Sequence, residues 1–329
     1  MGWRLFKIFV TVVALALVGA GVYAYVLWTD FNTGGALTEE ADVVIPKGTR
    51  ISAIAELLTE AKVIDNPLAF EIGVRLTSGG MALKAGEYEF PAGISPRTVM
   101  RLMIDGKVVQ HKVTIPEGLT VAEILDLLKT TPLLDGDVPT APAEGTLLPE
   151  TYLYLRDDTR AGLVERMQRD METLLKKLWA DRDQTIPLTK PEEAVILASV
   201  VEKETGRKDE RAHVASVFYN RMEKGMPLQS DPTVIFALTN GEKHLDRALT
   251  MSDLKTASPY NTYLNAGLPP TPIANPGIEA LKAVLHPIKS KDLYFVADGT
   301  GGHAFAATLD EHNKNVANWR KSQKAATGN

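Results

Sequence analysis

Hydrophobic positions follow three different regimes along the chain. Residues 8–28, IFVTVVALALVGAGVYAYVLW, form a continuous run without a single charge. The polar stretch 29–42, TDFNTGGALTEEAD, reads as a linker. A shorter pattern then recurs at VVIPKGTRISAIAELL (43–58), YEFPAGISPRTVMRLM (88–103) and VTIPEGLTVAEILDLL (113–128). Each copy starts strand-like, turns at Pro-x-Gly, and continues with apolar residues at the i, i+3, i+4 spacing of an amphipathic helix. Thr49, Ser95 and Thr120 stand where a helix N-cap is expected. The unequal spacing of Pro46, Pro91 and Pro116 argues against a solenoid. In the third regime, TLLPETYLY (146–154) reads as a strand. RAGLVERMQRDMETLLKKLWADR (160–182) is a packing helix with Leu163, Met167, Met171, Leu174, Leu175 and Leu178 along one side. A more apolar helix follows Pro191. The pattern predicts an α+β protein: a single N-terminal transmembrane helix (8–28) after residues 1–7, β/α modules over 43–130, a loop-rich boundary over 130–145, and a mixed α+β domain over 146–329.

At 1.5 Å per residue the apolar run spans a hydrocarbon core of about 30 Å. Arg4 and Lys7 precede it and Asp30 follows, which places the short N-terminus in the cytoplasm and the remaining chain outside. A cleaved signal peptide is the alternative. The run exceeds the usual apolar region of such peptides, and Tyr23, Tyr25 and Trp28 form an interfacial belt that favours an anchor. Of the net charge of −5, the first 29 residues hold +2, leaving −7 for the rest of the 329-residue chain. An acidic body speaks against non-specific nucleic-acid binding, which needs Lys and Arg to displace counterions. The absence of cysteine removes disulfides, thiolate metal ligands and a Cys nucleophile.

Candidate chemistry starts at ILASVVEKETGRKDERAHVASVFYNRM (196–222), where an apolar helix runs straight into Glu202, Lys203 and Glu204. At about 100° per residue, Glu204 falls about 20° from Leu197, inside the stripe formed with Val200 and Val201, whereas Glu202 points largely away. A carboxyl ending an apolar stripe is desolvated on one side, which favours its protonated form and prepares a general acid. The competing reading makes Glu204 the first polar residue of an emerging helix, paired with Arg207 or Lys208. Downstream, the turn LQSDPTV carries Gln229, Ser230, Asp231 and Thr233, and Asp231 is also placed to cap a helix starting at Pro232. Loops rich in Asn, Thr, Tyr and Gly follow at 258–281 and 294–305 and suit hydrogen bonding to a sugar chain. The six histidines show no His-x-x-x-His pair, and no nucleophile-elbow sequence is present, so no metal site, cofactor or Ser-His-Asp centre is expected.

The strand–helix units of 43–130 resemble LysM, the sugar-binding module of cell-wall proteins. In the second half, ASVVEKET, VASVFYNRM, LQSDPTV, YNTY, GLPPTPIANPG and YFVADGTGGHAF occur in the order found in the YceG-like family, which the chain resembles from anchor to C-terminal helix. That resemblance implies a membrane-anchored enzyme, a lyase that cuts peptidoglycan glycan strands internally between MurNAc and GlcNAc. The MurNAc 6-hydroxyl attacks its own anomeric carbon and leaves a 1,6-anhydroMurNAc end. The family's catalytic residue, the second Glu of a Glu-x-Glu pair, corresponds to Glu204. Because the nucleophile belongs to the substrate, one carboxyl suffices: Glu204 protonates the glycosidic oxygen and then accepts the 6-hydroxyl proton. Ordinary glycosidases use two.

Positioning of substrate is expected from Gln229, Asp231, Thr233, Tyr260, Asn261, Thr262, Asn275 and His303, with Glu202 as an orienting neighbour, a second acid or an ion-paired residue. Glu150 is a further candidate, although it stands where the family carries Asp. The resemblance also implies contact with peptidoglycan synthases beside the membrane. Two alternatives remain open at this stage: a catalytically silent peptidoglycan-binding scaffold, and a hydrolase that uses water.

Overall fold

The apolar run has neither proline nor charge to interrupt it. In the computed structural model, which describes residues 2–35 and 37–327, it forms one helix, α1 (Gly2–Asn32), that outruns the predicted span at both ends. The helix is long and apolar enough to cross a membrane, and residues 2–26 are exposed throughout. Its last turns are different. Leu27 and Phe31 are buried, and the Phe31 ring lies so close over Gly73 that no Cβ fits there. Asn66 Nδ2 donates to Asp30 Oδ2 at 3.1 Å and Arg97 Nη1 donates to Asn32 Oδ1 at 2.9 Å. The expected linker therefore begins as a docked helix end.

The chain forms two compact units, one up to His111 and one from Lys112. In the first, β1 (Ala41–Ile45), α2 (Ile51–Glu60), α3 (Pro67–Thr77), β2 (Gly86–Phe90) and α4 (Pro96–Asp105) follow α1. The strands β1 and β2 pair antiparallel, from Ala41 opposite Phe90 to Ile45 opposite Gly86. Alternation puts Val43, Ile45, Tyr88 and Phe90 in a core shared with Leu58, Phe70 and Met103. The Pro-x-Gly segments do join strands to helices, but they are not three separate modules. The first two pair with each other through β1 and β2. The third contains β3 (His111–Thr114) and α5 (Val121–Thr130), and β3 pairs with β4 (Thr151–Tyr154) instead. Ser95 caps α4, and Thr120 caps α5 in a full capping box with Glu123. Thr49 does not cap: Arg50 takes that position, and the Thr49 hydroxyl donates to Pro46 O at 2.7 Å, closing the turn itself.

In the second unit, Val113, Ile124, Leu128, Tyr152, Leu163 and Met167 form one cluster where α5, β3 and β4 meet α6 (Arg160–Ala180). A second cluster surrounds α7 (Pro191–Glu204), which packs against α6, α8 (Arg211–Glu223), α9 (Asp231–Thr239) and α10 (Ile278–Leu285). An antiparallel hairpin of β5 (Tyr294–Ala297) and β6 (His303–Ala306) and the helix α11 (Leu309–Thr327) complete it. In α7, Ala194, Val195, Leu197, Ala198, Ser199, Val200 and Val201 are all buried. The expected one-sided stripe is thus a helix whose central turns are buried on most of their circumference. Both of its terminal carboxylates consequently lose solvent, and what stands opposite each decides its chemistry.

Candidate active site

Glu204 is the last residue of α7, and Thr205, itself buried, ends the helix with its N–H on Val201 O. The residue keeps a partly exposed edge while its carboxyl is packed among protein atoms. Burial is the largest influence on it and, with the nearby Asp231 carboxylate, pushes the carboxyl up to about 7; Ser230, His303 and Arg221 act in the opposite direction. The helix C-terminus also disfavours an anion there. The hydroxyl of Ser230 donates to Glu204 Oε1 at 2.5 Å.

Ser230 is held in turn by its neighbours. It is the N-cap residue of α9, yet its side chain makes no cap bond, because it is turned to Glu204 instead. Its N–H donates to Thr262 Oγ1 at 3.0 Å, and its carbonyl accepts from Thr233 Oγ1 at 2.7 Å. The two threonine hydroxyls lie 2.8 Å apart. With its proton committed to Ser230 O, Thr233 accepts from Thr262, and the set closes. Gln229, with φ of 52°, turns the chain into this cap, its N–H on Thr262 O at 3.0 Å. Asp231 is exposed beside Glu204 and accepts from Tyr263 O–H at 2.7 Å. On the other side, Glu210 takes the backbone N–H of His303 at 3.0 Å and lies 2.7 Å from its Nδ1, fixing the β5–β6 turn over the site. A Cβ on Gly302 would collide with that Glu210 carboxyl.

Glu202 meets a different environment. Its side chain, 5% exposed, accepts from Arg211 Nη2 at 2.5 Å and from Gly277 N–H at 2.9 Å. Burial raises its pKa while the Gly277 N–H and Arg211 oppose that. Arg211 also donates to Glu117 at 3.0 Å. Of two carboxylates at the end of one helix, one faces a guanidinium and the other a neutral hydroxyl. Among the described residues no group of three or more His, Asp or Glu side chains is arranged to hold a metal ion.

A model of the YceG-like family matches residues 43–318, most of the chain. The chain belongs to the YceG-like family. It is similar to the endolytic murein transglycosylase of Bacillus subtilis, with 34% identity over 309 residues covering 83% of each protein. It is also similar to the endolytic murein transglycosylase of Streptococcus pneumoniae, with 28% identity over 354 residues covering 93% of this chain and 63% of that one. The crystal structure of a YceG-like protein from Listeria monocytogenes superposes with a TM-score of 0.52 at 34% identity, over 84% of this chain and 99% of that one.

The YceG-like motifs divide between two places in the fold. Gln229, Asp231, Thr233, Thr262 and His303 gather around Ser230 and Glu204. Asn261 is fully buried, with its amide on the carbonyls of Leu254 and Thr256 and its Oδ1 on Tyr263 N–H, so it clamps the loop that carries Thr262. Tyr260 and Asn275 lie elsewhere: the Tyr260 hydroxyl meets Thr271 Oγ1 at 2.9 Å, and the Asn275 amide joins Leu119 O to Leu147 N–H. Glu150 is exposed next to β4, its carbonyl accepting from Ile115 N–H. Sequence reasoning named Ser230 in its turn without giving it a role, and passed over Arg221, Glu210 and Tyr263. Ser230 and Asp231 are equally good caps before Pro232, so no local signal says which one turns inward.

Proposed function

We propose that this protein is a lytic transglycosylase of peptidoglycan, cutting glycan strands internally between MurNAc and GlcNAc, with Glu204 as its general acid and then its base. The observation that carries the reading is the Glu204 carboxyl itself: buried, raised to about 7, and bonded to a neutral hydroxyl rather than a cation. A carboxyl poised there is available in both protonation states near neutral pH, as a group that first gives and then takes a proton must be. Glu202, engaged by Arg211 and Gly277, has little freedom to serve as a second acid. The names of the Bacillus and Streptococcus relatives support the same substrate class.

In the proposed sequence Glu204 protonates the glycosidic oxygen and the bond to the anomeric carbon breaks. The MurNAc 6-hydroxyl then closes on that carbon, giving its proton to the Glu204 carboxylate and restoring the acid. Ser230 holds the carboxylate between the two steps. His303 and Arg221 favour its charged form, and Asp231 opposes it. With α1 as a single-pass anchor and the body outside the cytoplasm, cutting is confined to strands near the membrane. Sugar binding by the first unit, in the manner of LysM, and contact with peptidoglycan synthases are part of the same proposal.

Asp231, exposed next to Glu204, favours a second reading, in which it activates water and the enzyme hydrolyses the bond. Mass spectrometry of products from uncrosslinked strands separates the two. Full-length protein in detergent is expected to yield 1,6-anhydroMurNAc ends and the Glu204→Gln form none. Reducing ends would establish the hydrolase, and binding without cleavage by both forms would establish a scaffold.

A further inference from the structure

The GLPPTPIANPG motif is not spent on Glu204. Its Pro270, Thr271 and Pro272 line a cavity of about 510 Å³ in the second unit, at the opposite end of α7. Val195 and Ile196 face this cavity from α7, nine residues before Glu204 in the case of Val195, or about 13 Å along the helix axis. Met171 and Leu175 of α6 form the facing wall. Gly145, with φ of 77°, lets the chain pass between Pro272 and Val195 where a Cβ would strike both. Tyr260, from outside the motif, bonds Thr271, and the motif's own Asn275 lies 3.5 Å from Glu144, a lining residue. A cavity of this size, with mostly apolar walls and a few polar side chains among its lining, has the make-up of a binding site.

Its charges have one sign. Glu144, Glu172 and Glu192 line it, and among the described residues no Lys, Arg or His does. None of the three carboxylates is in an ion pair among the described residues. Glu144 is half-buried and accepts from Val121 N–H at the start of α5. Burial still pushes its carboxyl up to about 7, with Glu123 adding to the rise, as for an anion short of a counter-charge. The lining has no aromatic ring on which a sugar face could stack.

We propose that this cavity binds a peptide side chain of the lysine type, its aliphatic stem against Met171, Leu175, Val195 and Ile196 and its terminal ammonium among Glu144, Glu172 and Glu192. Apolar walls take the methylenes and the carboxylates take the charge, as the two ends of such a side chain require. Identifying the ligand with a diamino acid in the stem peptide of a glycan strand rests on the function proposed above; the binding itself does not.

The test is methionine-methyl NMR of the full-length protein in detergent micelles, titrated with the blocked tripeptide acetyl-Ala-Lys-Ala-amide and with its norleucine counterpart. The Met171 signal is expected to move saturably with the lysine peptide, while that of exposed Met251 stays still. The norleucine peptide is expected to bind roughly ten-fold more weakly, the contribution of a charge-assisted contact. Because Glu144 also serves α5, the charge is probed on the exposed residues: Glu172→Gln combined with Glu192→Gln should weaken the lysine peptide roughly five-fold without disturbing the fold. No response at Met171, equal binding of the norleucine peptide, or indifference to the double substitution would each overturn the proposal. Peptide binding involves no turnover, so a protein that binds the peptide but never cuts glycan contradicts only the proposed function. One that cuts glycan but ignores the peptide contradicts only this inference.

Discussion

Replacing Glu204 with Gln should remove activity and, above neutral pH, strengthen the fold. In the folded chain the carboxyl titrates at about 7, against an ordinary value of 4.5. Between those two pH values the folded state holds a proton that the unfolded state has released, so stability falls as pH rises through the interval. At about 1.4 kcal/mol per pH unit, the cost of keeping the charge in place reaches about 3 kcal/mol well above pH 7. Gln has nearly the same shape and no charge to bury. It should therefore gain roughly 2–3 kcal/mol relative to the parent between pH 5 and pH 8.5, minus whatever the Ser230 hydroxyl loses in accepting a weaker partner. For a unit of this size that corresponds to a difference in Tm of about 5–10 °C. Thermal unfolding of parent and variant at pH 5 and at pH 8.5, in the same detergent and at the same salt, measures it. The gain must appear mainly at the higher pH. An equal effect at both values, or a variant that is less stable at pH 8.5, would refute the claim that Glu204 is a strained, desolvated acid.

Three other outcomes follow from the same structure. Ser230→Ala removes the hydroxyl that favours the charged form of Glu204, so the alkaline limb of the kcat/KM profile should move up by roughly one pH unit; a downward or absent shift would count against Ser230 as its positioning residue. Arg211→Met leaves Glu202 buried without its cation and should cost about 3–5 kcal/mol in urea unfolding, with part of it recovered when Glu202→Gln is added. Gly73→Ala drives a methyl into the Phe31 ring and should destabilise the first unit by about 1–3 kcal/mol, and Phe31→Ala in the same chain should relieve that strain, as a double-mutant cycle will register.

Much of this protein is visible in the order of its residues. An uncharged run from Ile8 to Trp28 reads as one helix that fits a membrane span, because a helix satisfies its backbone within a single segment in an apolar environment. Pro-x-Gly followed by Ser95 or Thr120 marks a turn and a capped helix through bonds that span three residues. The 3.6-residue repeat places Glu204 on the apolar path of Leu197, Val200 and Val201. These are local facts, decided within one or two turns of chain.

The rest depended on segments far apart in sequence. Periodicity had Glu202 looking away from the core, but α8 and the loop before α10 enclose that side too and supply Arg211 and Gly277. The turn offered Gln229, Asp231 and Thr233 as contacts, with Asp231 also as a cap, whereas Ser230, whose N–H is held by Thr262, is the residue that turns to Glu204. Sequence order gathered GLPPTPIANPG with the catalytic motifs, though the packing of α6 against α7 sends its prolines to a separate cavity. By itself, the sequence determined that a helix should end in two carboxylates with the second one on its apolar path. Only the tertiary structure decided that one would meet a guanidinium and the other a hydroxyl, because a group's pKa is set by whatever charges and solvent surround it, and those arrive from other parts of the chain.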